Sequence, residues 1–293
     1  MLIRSKKLGS AVVVILFTIM SLVISQSVYS QESELLSEKA ILSMDSEELL
    51  NVLQTRGLHL PTDYAENRDM AQHFVSEYVP LLIQGKINPN VDLFNYDKSN
   101  QMLRNLAGVL EEMQFPIVNY STRYTLQNST AIGSWSDSYL YYNCYAYSLG
   151  RTSGLQPGSI SDTPFSMTLS ISEMADVVLE DLDVMGYWGY KTTRKPIHLP
   201  DQWFRVICIR KDTSNVDYHF MKTYGSLYSW AHKPGGTQPL SWNYSSPGFT
   251  VWSNERVAMG IVYAPTVTYE SAIYYILYKG KNDPGIQPRS VEE

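Results

Sequence analysis

The run Asp217-Tyr218-His219-Phe220-Met221-Lys222-Thr223-Tyr224-Gly225-Ser226-Leu227-Tyr228-Ser229-Trp230-Ala231-His232 carries the folding signal on which the rest of the chain turns. Two aromatic-rich stretches flank Gly225-Ser226, a dipeptide with glycine first that suits a two-residue hairpin turn. Such a turn pairs Tyr224 with Leu227 and, counting outward, Met221 with Trp230 and His219 with His232. The two imidazoles are then expected directly opposite each other on one face, beside an apolar floor of Met221 and Trp230. Strand alternation puts Asp217 on the side of His219.

Further strand signals lie at 203–210, 249–252, 258–263 and 272–278, so the C-terminal half reads as a sheet. Upstream of about residue 117 the texture is helical. Asp45 reads as an N-cap with Glu48 as its capping-box partner and Met44 and Leu49 as a hydrophobic staple. Leu49, Leu50 and Leu53 form the stripe that follows, and Gly57 ends it. A second helix is expected from Asn67 towards Gly85, with Pro80 marking a kink or a break. A third follows Ser99. Within the strand-rich half, Ser170 and Glu173 form a capping box that opens a helix over 170–182. Its Glu180, Asp181 and Asp183 read as a solvated face rather than a metal cluster.

The 293 residues are 44% hydrophobic and 18% charged, enough to bury a sizeable core and too apolar for a disordered chain. Residues 1–30 read as a secretory signal peptide: Arg4, Lys6 and Lys7 precede an apolar run, and Val28-Tyr29-Ser30 supplies the small residues of a cleavage site. Three of the 23 basic and none of the 29 acidic residues leave with it, taking the net charge from −6 to −9. An acidic chain without clustered cations is a poor partner for nucleic acid or for an anionic membrane surface. The expected product is therefore secreted or associated with the periplasm or cell wall. Residues 281–293 read as a mobile tail. Three glycosylation-type sequons begin at Asn119, Asn128 and Asn243.

Chemistry concentrates at Tyr142-Asn143-Cys144-Tyr145-Ala146-Tyr147-Ser148-Leu149-Gly150. Asn143 reads as an N-cap, with a short helix from Cys144 until Gly150 stops it. A thiol at a first helical position is expected to have a lowered pKa and to act as a nucleophile. His219 would be its base, with His232 or Asp217 in support. Other readings remain open. Cys144 could join Cys208, or be a small buried hydrophobe. The two imidazoles and the thiolate could hold zinc. Trp230 could line a substrate groove or complete the core.

A cysteine at a helix start, a histidine on a distant strand and a second histidine one hairpin further on resemble a papain-like cysteine peptidase. The match is to the bacterial cell-wall (NlpC-type) branch. The resemblance covers the residues from Tyr120 to Tyr278 and implies an α+β fold with an antiparallel sheet over 118–280, preceded by a helical region over 31–117. It implies Cys144 as nucleophile, His219 as general base and His232 as orienting residue. No cofactor or metal is implied. The substrates it implies are peptides, proteins or peptidoglycan. The branch usually carries Asp-Cys-Ser-Gly where this chain has Asn143-Cys144-Tyr145-Ala146. The alternative from another class is a secreted binding or adhesion module on the same scaffold, with Cys144 buried or disulfide-bonded.

Overall fold

The structure is a computed structural model that describes residues 36–90, 92–115, 117, 129–134, 136–212, 214–236, 238–242, 252–257 and 263–284. The signal-peptide segment, the asparagines of the three sequons and residues 285–293 of the expected tail lie outside them. The chain divides into a unit Met1–Ile41 and a unit Leu42–Glu293, and α1 (Glu38–Ser43) straddles the division. All other described elements belong to the second unit.

That unit is α+β. Its helices α2 (Ser46–Thr55), α3 (Thr62–Glu66), α4 (Arg68–Ile83) and α5 (Asp97–Glu112) come first. Asp45 caps α2 by accepting from Glu47 N and Glu48 N at 3.0 and 2.8 Å, as its position before an apolar stripe requires. The return bond from Glu48 is not made among the described contacts. Pro80 does not break α4, which runs on to Ile83. Its missing donor leaves the Ser76 carbonyl without the usual helical partner, and the helix continues for only three residues beyond it. The helices close a core on Leu50, Leu53, Phe74, Val79, Leu103 and Leu106, all fully buried.

Next come β1 (Ser129–Ala131), a 3₁₀ turn (Asp137–Tyr141), α6 (Cys144–Ser148) and α7 (Ile171–Val184). Then follow β2 (Tyr187–Thr192), β3 (Arg205–Lys211), β4 (Tyr218–Tyr224), β5 (Ser226–His232) and β6 (Leu240–Trp242). The last strands are β7 (Trp252–Val257), β8 (Tyr263–Tyr269) and β9 (Tyr274–Gly280). The main sheet runs β1-β6-β5-β4-β3-β9-β2 with every pair antiparallel, and β7 and β8 form a separate hairpin. Strands β3 to β6 make a meander, and β9 returns to the far side of β3. The capping box of α7 is complete in both directions, Glu173 N to Ser170 Oγ at 3.2 Å and Ser170 N to Glu173 Oε2 at 2.7 Å.

The central hairpin forms, but with a different register. His232 lies across from Met221 and Trp230 across from Thr223, because an irregularity between Thr223 and Tyr224 puts extra residues on the β5 side. The slip amounts to two residues. An even slip leaves every side chain on its expected face, so His219 and His232 still share one, as diagonal rather than direct neighbours.

The two faces of β4 are covered differently. Helix α6 lies on the Phe220 and Lys222 side: the Tyr145 and Phe220 rings are 4.9 Å apart and Lys222 Nζ donates to the Tyr147 carbonyl at 2.9 Å. His219 emerges on the other side, where the Tyr269 ring of β8 stacks on it at 5.3 Å.

One sequence reading fails on the α7 surface. Asp181 is not solvated; it is fully buried and accepts from Tyr145 Oη, Gly158 N, Ile160 N, Ser161 N and Ser161 Oγ. The loop over 157–163 folds back onto α7, and its exposed amides need an acceptor.

Candidate active site

Helix α6 is a single turn, capped as its sequence requires. Asn143 Oδ1 accepts from Ala146 N at 3.0 Å, and Gly150 stops the turn at φ +72°. The Asn143 amide group is also structural, donating to the carbonyls of Asn95 and Leu155, both at 2.7 Å.

Cys144 and Cys208 are both free thiols, so no disulfide joins them. Cys144 is fully buried. Its sulfur faces the backbone of β4, 4.0 Å from the Tyr218 carbonyl, and no hydrogen bond links it to an imidazole among the described residues. The thiol pKa is well above the ordinary value, not below it. Burial is the main cause, Asp217 adds to it, and the Phe220 amide and Lys233 oppose it only in part. One turn of helix cannot offset the loss of water.

The histidine pair is joined directly, His219 Nε2 to His232 Nδ1 at 2.7 Å with the rings edge to face. His232 is fully buried, and burial pushes its pKa down to about 3. The His219 ring is held by a residue that spacing within the strands does not reveal, Asn95. Its Oδ1 accepts from Cys144 N at 3.4 Å and from Gly235 N at 2.5 Å. Both partners are donors only, which fixes the orientation of the carboxamide. Its Nδ2 therefore donates to the Tyr218 carbonyl and to His219 Nδ1, each at 3.2 Å. His219 must then carry its proton on Nε2 and give it to His232 Nδ1, so both imidazoles are neutral with Nε2–H.

Asp217 is fully buried. It accepts from the Asn95 backbone N at 3.0 Å and from Tyr269 Oη at 2.5 Å, fixing the residue that bridges the site and the ring that stacks on His219. Trp230 is 1% exposed, 6.2 Å from the Tyr275 ring, and its indole Nε1 has no hydrogen-bond partner among the described residues. It belongs to the core and not to an open groove.

Lys233 is a second residue missed from spacing. Fully buried, it donates to the carbonyls of Tyr142 and Gly235 and lies 4.4 Å over the Tyr142 ring. Burial pushes its pKa down to about 7. Among the described residues no group of three or more His, Cys, Asp or Glu is placed to hold a metal ion, and no helix is long and apolar enough to cross a membrane.

Two openings lie beside the site, and neither is lined by Asn95, Cys144 or the histidine pair. A cavity of about 20 Å³ is bounded by Asp92, Asn143, Tyr142 and Gly235, room for a single water. It shares Asp97 and Gly154 with a groove of about 390 Å³ that runs along Gln156, Pro157 and Gly158. Comparison with protein-family models, with curated proteins and with solved structures finds no match to this chain.

Proposed function

We propose that this chain is an exported thiol-dependent amide hydrolase of the papain-like, NlpC-type architecture. Peptide, protein or peptidoglycan amides are its substrate classes. Cys144 is the nucleophile that forms the acyl-enzyme, His219 Nδ1 moves the proton, and His232 holds the tautomer in which Nδ1 carries no hydrogen and acts as an acceptor. The observation that carries this reading is the convergence on Asn95. One side chain is bonded both to the backbone of the cysteine and to the ring of the histidine, so the two functional segments meet in one place. The departure from the Asp-Cys-Ser-Gly pattern bears on substrate preference, which the resemblance alone does not fix.

The test is turnover by the full chain of fluorogenic peptide amides and of purified peptidoglycan, with Cys144→Ala alongside. Product formed by the native chain and not by the variant supports the reading. Equal product from both refutes it.

Full burial of Cys144 favours a second reading, a secreted binding module in which the same network is purely structural. Thiol labelling separates the two. In the enzyme, Cys144 reacts with a small electrophile in the folded state; in the module it reacts only at the rate of global unfolding.

A further inference from the structure

The carboxamide of Asn95 is held at all four of its hydrogen-bonding positions. Two donors, Cys144 N and Gly235 N, meet its oxygen, and two acceptors, the Tyr218 carbonyl and His219 Nδ1, meet its nitrogen. The sulfur of Cys144 lies 4.0 Å from the same Tyr218 carbonyl. The group that binds the amide oxygen is thus the nucleophile's own backbone N–H, and the group that binds the amide nitrogen is the proposed base. We infer that this cleft is a seat for a primary carboxamide, with Asn95 as its resident occupant, and that the reaction it supports is hydrolysis of glutamine or asparagine side-chain amides to carboxylates.

The selectivity follows from counting partners. A secondary peptide amide brings one N–H and a carbon substituent where the seat offers two acceptors. It would leave either the Tyr218 carbonyl or His219 Nδ1 buried and unpaired. Sites built to hydrogen-bond a group reject analogues that lack it by orders of magnitude.

The occupant sits on a strap, residues 92–96, that is tied at several points. Asn100 Oδ1 accepts from Leu93 N and Phe94 N at 2.8 and 3.0 Å, and its amide donates to the Phe94 carbonyl at 2.9 Å. Arg104 pairs with Asp92 at 2.9 Å, and Gly236 N donates to the Asp92 carbonyl at 2.9 Å. The seat is filled by the Asn95 carboxamide itself, so a substrate amide enters only after Asn95 leaves. The chain as it stands is latent.

Once the seat is free the step balances with water as the only co-reactant. The Cys144 thiol gives its proton to His219 Nδ1, and sulfur bonds to the carboxamide carbon. The C–N bond breaks, and the leaving nitrogen takes that proton to depart as ammonia. Water then adds to the thioester, again giving a proton to His219, and cleavage of the C–S bond returns the thiol and frees the carboxylic acid.

This rests on the amide-hydrolase reading, and the test separates the two. The probe is an acetylated hexapeptide with one glutamine and a free C-terminus. It is incubated with the full native chain, with Asn95→Gly, which empties the seat, and with Asn100→Ala, which loosens the strap. Each is run with and without Cys144→Ala, with folding checked by near-ultraviolet circular dichroism. Expected are Cys144-dependent ammonia and a mass gain of about 1 Da on glutamine, at least ~10-fold faster in the two strap variants than in the native chain. Peptide-bond cleavage is expected to be at least ~100-fold slower. Cys144-dependent cleavage without ammonia overturns the carboxamide seat and leaves the hydrolase reading standing. A native chain as fast as both variants overturns Asn95 as occupant. No Cys144-dependent product from any folded form overturns both. Should the strap variants fail to fold, the native chain decides with electrophiles: 2-chloroacetamide must alkylate Cys144 at least ~10-fold faster than its N-methyl analogue, and equal rates refute the seat.

Discussion

Acid should destabilise this fold through one side chain. His232 is fully buried and neutral, with its pKa pushed down to about 3 by burial, whereas in the unfolded chain it titrates near 6.5. Below pH 6.5 the unfolded state binds a proton that the native state refuses, so stability falls as pH falls, by about 1.4 kcal/mol per unit. The contribution is fully present above the unfolded pKa and is lost progressively down to about pH 3. Between pH 7 and pH 4.5 the loss from this residue alone comes to about 2.5 kcal/mol. With a urea slope of about 2.5 kcal/mol/M, the midpoint should drop by about 1 M. Buried carboxylates also respond to acid, so the measurement is the difference from His232→Gln, whose amide oxygen can still accept from His219 Nε2. Urea melts of both proteins at pH 7.0, 6.0, 5.0 and 4.5 should converge as pH falls, the variant losing about 2.5 kcal/mol less. Parallel curves would show that burial of His232 is not the origin of any acid sensitivity.

Four further outcomes are expected. Lys233 should act in the opposite pH window: its native pKa of about 7 lies below the unfolded 10.5, so the native state holds fewer protons and stability rises with pH. The gain from pH 7 to pH 9 should be about 2 kcal/mol in the native chain and absent in Lys233→Met, read by thermal melts. Asp181→Ala strands five donors at once and should cost about 4 kcal/mol by urea denaturation. Ser170→Ala removes the α7 cap and should cost about 1 kcal/mol. Gly235→Ala meets a backbone at φ +40° and would place its Cβ 2.9 Å from the Asp92 carbonyl, so it should destabilise by about 2 kcal/mol and lift the strap, seen as faster hydrogen exchange at Asp92 and Asn95.

The elements with local punctuation were legible in the chain. Asp45, Asn67, Asn143 and Ser170 all cap helices at the expected places, and strands β3, β4, β5 and β9 fall where aromatic and β-branched runs stand between turn signals. Strand β2 escaped because Tyr187-Trp188-Gly189-Tyr190-Lys191-Thr192 shows no alternation of apolar and polar residues: every position is half-buried. Gly189 is needed there, since a Cβ would approach the Leu277 carbonyl of β9 to 2.8 Å. The hairpin register was read from turn chemistry alone. The structure pairs Tyr224 with Ser226 and not with Leu227, and nothing in Leu227-Tyr228-Ser229 announces the irregularity that shifts the later pairs.

The limits of reading the site are of a different kind. Period and spacing report which residues share a face of one element, and on that basis His219 and His232 were joined correctly despite the wrong register. They are silent about a group that arrives from another element altogether. Asn95 reaches Asp217 across 122 positions, from a strap between two helices with no periodicity of its own. The same blindness explains why the thiol pKa was expected to fall. The helix start was visible, but the strap and strand that strip Cys144 of water were not, and desolvation outweighs the dipole of a single turn. The two motifs are therefore joined by the carboxamide set between them, whose four hydrogen bonds tie the start of the Cys144 helix to the ring of His219. In the proposed hydrolase that carboxamide stands where substrate would bind, so turnover would require the strap to move first.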